Sequence, residues 1–292
     1  MNQSAAPPPQ PVRELPIAET ISEAYKSVFE NFGMWLRIML GPAILSVPIA
    51  VFGQMMIADE QAMLEEQGLE GPEATTAMMS AAWPELLLAN LISFVPYVLF
   101  AVAWHRFLLL GEKPGSALAP LFPSLRHVRF YLYTLLLVLV IGVAAALVGT
   151  VGALVAALLS GAAGANVLQA PLFLLLFMLT LYVTARLQFT FPALAVDEHY
   201  GFGDSWRNTR GQGWRFLLAL SCCFVPPLFF SLIMTLILGG ATGFSILFFV
   251  NAFILAAIGL LTTAIVISAI SAAFRTCTGW IPPPANQPPA NV

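Results

Sequence analysis

Hydrophobic residues occur in six long runs along the chain, and the shorter segments between the runs hold most of the charged residues. Each run is close to the length of about 20 residues that an α-helix needs to cross the hydrocarbon core of a bilayer. The pattern therefore predicts six transmembrane helices, at about residues 36–57, 84–104, 130–156, 171–193, 215–238 and 246–272.

A seventh apolar pattern precedes the first run. From Ile17 to Trp35, apolar residues recur at helical spacing while glutamates and a lysine occupy the other faces. Such a segment predicts an amphipathic helix that is too polar to cross a membrane. Thr20 and Glu23 have the spacing of a capping box, which places the start of the helix near Thr20. We expect this helix to pack beneath the bundle.

The composition supports a membrane protein. Hydrophobic residues make up 59% of the 292 residues and charged residues only 9%, whereas soluble domains carry about 25% charged residues. So few charges cannot cover a surface that faces water, and we predict an all-α, polytopic membrane helical bundle. The proline-rich ends, residues 1–16 and 279–292, are expected to be disordered. One membrane domain then covers residues 17–278.

The placement of charge predicts the orientation. All twelve lysines and arginines fall on one side of the six-span arrangement. The opposite side has no basic residue and carries seven carboxylates: Asp59, Glu60, Glu65, Glu66, Glu70, Glu73 and Glu85. Because short basic loops remain in the cytoplasm, we expect both termini to be cytoplasmic.

Two further patterns concern the arrangement of the helices. Each segment before an odd-numbered span mixes aromatic, basic and polar residues, which suggests three repeats of a surface helix followed by a transmembrane hairpin. Pro120 and Pro123 predict that the middle surface helix is short or broken. In the third span, small residues at every fourth position predict close contact with another helix: Ala145, Gly149, Ala153, Ala157 and Gly161.

Motifs that carry chemistry are scarce. We find no nucleotide-binding loop, GxSxG turn or HExxH helix, and the three cysteines lack the spacing of metal ligands. Asp197, Glu198 and His199 are adjacent, but consecutive side chains point in different directions and seldom converge on one ion. The sequence therefore predicts no catalytic residue, no metal, no cofactor and no nucleic-acid partner.

The predicted spans contain few polar groups. No aspartate, glutamate or lysine lies well inside any of them, which disfavours ion-coupled transport. Asn90 and Asn251 are the notable exceptions, and we expect both to form hydrogen bonds between helices.

The segment 186–216 holds four of the twelve basic residues and is the strongest candidate site. Arg186 lies about two turns inside the end of the fourth predicted span. Its guanidinium either snorkels to the interface or has a partner, which is a carboxylate such as Asp197 or a lipid phosphate.

A short helix is predicted to begin at Ser205, with Asp204 as its cap. Arg207 and Arg210 are three residues apart and would share a face of that helix. Because guanidinium groups suit bidentate contacts with phosphate, we hypothesise that these two arginines and Arg186 form a site for an anionic phospholipid headgroup. The alternatives are that they follow the topological bias alone or pair with nearby carboxylates: Glu112, Asp197 or Glu198.

This segment also carries a resemblance. The segment resembles a family of bacterial six-span inner-membrane proteins that includes the membrane domain joined to some glycerophosphodiester phosphodiesterases. The shared features are an arginine in a span, a proline near the end of that span, an acidic turn and the sequence SWRNTRGQGW. The matching residues are Arg186, Pro192, Asp197, Ser205, Trp206, Arg207, Thr209, Arg210, Gly211 and Trp214. The pair His105–Arg106 is followed by Phe107 rather than glycine, so the resemblance implies no phosphodiesterase activity.

Two functions remain open from the sequence. The favoured one is a non-catalytic scaffold or accessory protein of the inner membrane, which binds lipid, another membrane protein or a second copy of itself. The alternative is a transporter or channel for a small or apolar solute, which internal repetition and proline-containing spans would support.

Overall fold

The structure, a computed structural model, describes residues 14–56, 62–63, 66, 77, 82–159, 165–238 and 245–282. For residues 153, 156–159, 165–170 and 172 it describes the backbone only. Over the described residues the fold has nine α-helices, one 3₁₀ turn and no strand. Six helical stretches among them are long and apolar enough to cross a membrane, which confirms the predicted helical membrane bundle.

The helices are numbered in chain order. Their bounds are α1 Ile17–Glu30, α2 Phe32–Met56, α3 Trp83–Leu110, α4 Leu125–Leu159, α5 Ala165–Leu187, α6 Thr190–Ala195, α7 Phe202–Asn208, α8 Gly213–Leu238 and α9 Ile246–Thr278. The 3₁₀ turn, Ala119–Leu121, lies between α3 and α4. The helices that can cross the membrane are α2, α3, α4, α8 and α9, together with the stretch Phe173–Ala195, which contains most of α5 and all of α6.

One end of the bundle carries all the basic residues that the structure describes, eleven in number. We call it the basic end. It holds α1, the loop after α3, the segment around α7 and the residues that follow α9. Four contacts join these distant segments: Leu15 N to Gln212 Oε1 (3.1 Å), Arg275 to Glu23 (2.6 Å), Trp280 Nε1 to Glu198 Oε1 (3.0 Å) and Arg106 to Asp197 (3.1 Å).

The predicted spans two and six end too early at the basic end. α3 continues to Leu110 and α9 to Thr278, beyond the predicted limits of 104 and 272. Both helices end at a glycine with left-handed backbone, Gly111 with φ of 70° and Gly279 with φ of 66°. Polar residues do not stop a helix, whereas a left-handed glycine does.

The helix α1 begins at Ile17, so the predicted capping box at Thr20 is wrong. Pro16 precedes the first turn, and the Thr20 hydroxyl donates to the Pro16 carbonyl at 2.8 Å. Thr20, Ala24 and Val28 are buried, and the helix packs along α9 and α8.

The hydrophobic core lies towards the basic end. The helix α9 packs against α1, α2, α3 and α8, and most of its buried residues fall between Ala264 and Phe274. In α3 the buried residues fall between Pro96 and Leu109. Beyond this level many apolar side chains of α4, α5 and α8 are exposed, as expected where a helix faces lipid.

The small-residue stripe of α4 is exposed within this chain. A Cβ built at Gly142, Gly149 or Gly152 meets no other atom within 4 Å. The helix α4 contributes Phe130 and Leu137, near the basic end, to the core. The predicted contact with another helix is therefore absent at Gly149 among the described residues of this chain, and a contact with a second copy stays a prediction. Gly161 and the side chains of Ala153 and Ala157 lie outside the described part of the chain.

Two smaller predictions are also corrected. Asn90 is exposed, and its Nδ2 donates to the Leu86 carbonyl of its own helix at 2.7 Å, so it makes no bond between helices. The predicted disorder of the chain ends is wrong for Leu15, which is 1% exposed, and for Trp280, which packs on Phe274. Residues 1–13 and 283–292 lie outside the described residues.

The repeat remains a prediction. A short helical element precedes each odd-numbered span, namely α1 before α2, the 3₁₀ turn before α4 and α7 before α8. The middle element is short, as Pro120 and Pro123 predict, because a proline ring prevents a regular helix from continuing.

Candidate functional site

The fourth span breaks inside the candidate segment 186–216, just after Leu187. Pro192 has no N–H group, and its ring opposes the carbonyl four residues earlier, that of Gln188. The helix α5 therefore ends at Leu187, and α6 starts afresh at Thr190. Arg186 lies in the last turn of α5. The fourth span continues to Ala195, so Arg186 lies about two turns inside its end as predicted, but a break in the helix separates it from that end.

Ser205 of α7 holds the two sides of this break together. Its side chain is fully buried. The Ser205 hydroxyl donates to the Arg186 carbonyl at 2.6 Å and accepts from the Phe189 N–H at 3.1 Å. Backbone groups at a helix end need hydrogen-bond partners outside their own helix. Here one hydroxyl is the partner of both the Arg186 carbonyl and the Phe189 N–H.

The guanidinium of Arg186 binds the same short helix. Its Nε donates to Thr209 Oγ1 at 3.1 Å, and its Nη2 donates to the Trp206 carbonyl. The Arg186 Cζ lies 3.6 Å from the centroid of the Trp206 ring and 5.7 Å from that of Tyr182. These contacts define what we call the α5–α7 joint, formed by Arg186, Ser205, Trp206 and Thr209.

Arg186 is 8% exposed, so its side chain does not snorkel. No carboxylate oxygen of a described residue lies within 4.0 Å of its guanidinium, so it does not pair with Asp197. Both of these alternatives are wrong. The carbonyl ends of α5 and α7 meet at Arg186, and helix C-termini carry partial negative charge. Those carbonyls, together with the aromatic faces, stabilise the buried cation.

Asp197 belongs to a different group of side chains. Arg106 and Arg126 lie 3.1 and 3.3 Å from its Oδ2, and Arg106 also binds both carboxylate oxygens of Glu112. The ion pairs join the ends of α3 and α4 to the residues after α6. Asp197 is about half exposed, and exposed ion pairs stabilise a fold by at most about 1 kcal/mol.

The helix α7 begins three residues before its predicted start. Gly201 precedes its first residue, Phe202, and Asp204 occupies the third position of the helix. The Asp204 Oδ2 accepts from the Gly201 N–H at 2.9 Å, and Asp204 forms an ion pair with Arg207. The Gly201 hydrogen bond and then Arg207 lower the pKa of Asp204 below its usual value.

Arg207 and Arg210 are both exposed at the basic end. Because α7 ends at Asn208, Arg210 lies in the turn that follows, and the prediction of one shared helical face is wrong. Trp206 is 39% exposed and Trp214 is 60% exposed. We call this group of four residues the Arg207–Arg210 surface. It excludes Asp197 and the buried Arg186 guanidinium, and it shares Trp206 with the α5–α7 joint.

Asp197, Glu198 and His199 do not converge. Asp197 contacts two arginines, whereas Glu198 accepts a hydrogen bond from Trp280. Asp197 has a positive φ of 63°, which turns the chain between these neighbours. Over the described residues, no group of three or more His, Cys, Asp or Glu side chains could hold a metal ion.

One pair in the core has the composition of a nucleophile and its base. His105 Nδ1 and Ser271 Oγ lie 2.8 Å apart. Each residue is only 1% exposed, and the pair lies within the packed core. A general base must reach a substrate, so we interpret this contact as a packing interaction between α3 and α9.

Sequence reasoning missed the role of Ser205 and Thr209. Their spacing of four residues places both on one face of a helix, which is the signal that could have identified the joint. It also missed Gln212, which is 8% exposed and accepts the Leu15 N–H. A buried glutamine in a loop has no pattern in the sequence.

The fold and the basic end define a six-span helical membrane protein with an interlocked, arginine-rich end. Comparisons with protein-family models, with curated proteins and with solved structures find no match for this chain. The functional argument therefore rests on the geometry described above.

Proposed function

We propose that this chain is a non-catalytic integral protein of the bacterial inner membrane, with both termini in the cytoplasm, and that its basic end binds anionic phospholipid headgroups. The observation that carries the proposal is the Arg207–Arg210 surface, where two arginines and two tryptophans, all exposed, occur between residues 206 and 214. Tryptophan rings settle at the level of the headgroups, which would hold both guanidiniums at the depth of lipid phosphate.

The charge of the basic end supports this assignment. The basic end has eleven described basic residues and eight described carboxylates, so positive charge is in excess there. At the other end, the described ionisable residues are Glu66 and Glu85. A basic residue near an anionic membrane surface contributes about 1 kcal/mol to attraction, and short basic segments face the cytoplasm.

The local chemistry also suits a phosphate. Arg210 has no carboxylate partner among the described residues. Arg207 pairs with Asp204, but its side chain is 77% exposed, and such a pair is worth at most about 1 kcal/mol. A phosphate can therefore compete for Arg207. The α5–α7 joint fixes the helix that presents Arg207, so the residues that resemble the six-span family have a structural role in this proposal.

Native mass spectrometry tests the lipid site. The variant Arg207→Gln with Arg210→Gln should retain about thirtyfold less anionic phospholipid than the wild type, because it loses about 1 kcal/mol for each of two charges near the headgroups. The matched control is Lys26→Gln with Arg215→Gln. It removes the same number of charges from exposed residues that are paired with Glu30 and Glu14.

The control should retain more anionic lipid than the first variant. Equal lipid retention by the wild type and the Arg207→Gln, Arg210→Gln variant would exclude the site. Equal losses in both variants would show attraction by net charge alone, which would also contradict a site at these two arginines.

A further inference from the structure

A cavity of about 380 Å³ lies between α2, α3 and α9, in the half of the bundle away from the basic end. Uncharged polar side chains from all three helices line it: Ser46, Gln54, Ser93, Tyr97 and Asn251. The rest of the lining is apolar and includes Pro96 and Phe248. No Asp, Glu, Lys, Arg or His is among the described residues that line it.

The convergence of these side chains is unusual for helices of this composition. Mean hydropathy over the span windows is 1.8 in α2, 2.2 in α3 and 2.5 in α9. Polar side chains in such helices are costly unless they have partners. Asn251 is 7% exposed, so its amide lies in the interior of the bundle.

The two serines show how the lining is built. The Ser46 hydroxyl donates to the Pro42 carbonyl at 2.9 Å, and the Ser93 hydroxyl donates to the Ala89 carbonyl at 2.7 Å. A hydroxyl that donates once still has an oxygen that accepts hydrogen bonds. Each serine is therefore tolerated by its own helix and also offers an acceptor at the cavity.

Tyr97 brings a hydroxyl that both donates and accepts. The ring lies against Gly259 of α9, and a Cβ built at Gly259 would be 2.8 Å from the Tyr97 hydroxyl oxygen. Real Cβ atoms do not approach that closely, so a larger residue at position 259 would displace the phenol. Because Gly259 has no side chain, it leaves room for the Tyr97 hydroxyl at the cavity.

The chemistry of the lining selects a class of ligand. A carboxylate, phosphate or ammonium group would lose its hydration without meeting an opposite charge. An apolar molecule would cover the Tyr97 hydroxyl and the acceptor oxygens of the two serines without forming hydrogen bonds to them. An uncharged molecule with several hydroxyl groups needs no opposite charge and can form hydrogen bonds with the polar groups of the lining.

The volume limits the size of that molecule. A water molecule takes about 30 Å³ in the liquid, so the cavity accommodates roughly a dozen groups of that size. We propose that this cavity binds a small uncharged polyol, from about six to about twelve non-hydrogen atoms. The proposal is independent of lipid binding at the basic end, because the two sites share no residue.

Cysteine alkylation with sorbitol as the probe tests the proposal. The three native cysteines, Cys222, Cys223 and Cys277, are first replaced by alanine, and Ser93→Cys is then introduced. N-ethylmaleimide should alkylate this variant in detergent, and sorbitol should slow the reaction several-fold. Sodium gluconate, which has a similar size but carries a charge, should not slow it.

Two controls separate binding from general effects. Lys113→Cys in the same background lies at the basic end and is exposed, so sorbitol should leave its alkylation rate unchanged. Tyr97→Phe and Gly259→Ala, each combined with Ser93→Cys, should lose most of the protection, the first by removing the hydroxyl and the second by displacing it. Ser46→Cys repeats the assay from α2 if Ser93→Cys does not fold.

Several results would overturn the proposal. Alkylation that sorbitol does not slow would mean that the cavity holds water only. Equal protection by gluconate, or equal slowing of Lys113→Cys, would exclude selective binding of a neutral polyol. A folded variant with an unreactive cysteine at either serine position would show that the cavity is closed to solutes.

Discussion

At the scale of single residues, Arg186 shows how a buried charge is kept in this protein. Its guanidinium stacks on Trp206 and donates to Thr209 and to a backbone carbonyl. Ser205 binds the backbone on both sides of the break that Pro192 causes. Residues that the sequence presented as a lipid site are thus divided between a structural joint and an exposed surface.

Arg186→Gln should lower the free energy of unfolding by about 3 kcal/mol, because it removes charge-assisted hydrogen bonds and a cation–π contact. Arg186→Lys should cost nearly as much, since an ammonium group cannot stack and donate in the same plane. Chemical unfolding in mixed micelles measures both values.

The control for Arg186 is Arg210→Gln, which should change stability by less than about 0.5 kcal/mol because the side chain is exposed. If Arg186→Gln and Arg210→Gln unfold at the same denaturant concentration, the joint does not stabilise the fold.

Sequence reasoning singled out the segment 186–216 but did not predict the contacts that its residues make. Asp197 contacts Arg106, which is 91 residues away in the chain, and no local pattern reports such a pairing. Trp104 is similar. It is fully buried, and its indole N–H donates at 3.1 Å to the hydroxyl of Ser268, which is 164 residues away in the chain.

At the scale of helices, the lengths of the hydrophobic runs predicted the six membrane-spanning stretches, because length and apolar character decide whether a helix can cross a bilayer. They did not predict which faces pack. The small residues of α4 suggested a close contact, yet Gly149 has open space beside it. Gly41 of α2, which belongs to no such stripe, does need its small size.

Gly41→Ala should destabilise the protein by about 1–3 kcal/mol through overpacking. The added Cβ would lie 2.9 Å from the Ala117 carbonyl oxygen and 3.1 Å from Leu121 Cγ. Gly149→Ala is the matched control on another helix and should be neutral or slightly stabilising, because alanine favours helix more than glycine does. Thermal melting in detergent compares them.

Gly149→Leu extends the same comparison to a larger side chain. We expect it to melt like the wild type, since the site is open within this chain. A loss of stability at Gly149 but not at Gly41 would contradict the packing described here and would indicate that the α4 stripe is covered in an assembly.

At the scale of the whole molecule, side chains from distant segments of the chain meet at the basic end. The basic end is held together by contacts among four segments: α1, the loop after α3, the segment around α7 and the end of α9. The polar-lined cavity lies in the opposite half. A transporter would need such a cavity, whereas a lipid-binding scaffold needs only the charged end.

The orientation of the six spans is the central claim of this account, because the lipid site requires the basic end to face the anionic cytoplasmic leaflet. Reporter fusions after Gly68 and after Val292 test it most directly. We predict that a reporter active only in the periplasm is active after Gly68 and inactive after Val292. Activity at both positions, at neither, or only after Val292 would contradict the six-span arrangement with a cytoplasmic basic end.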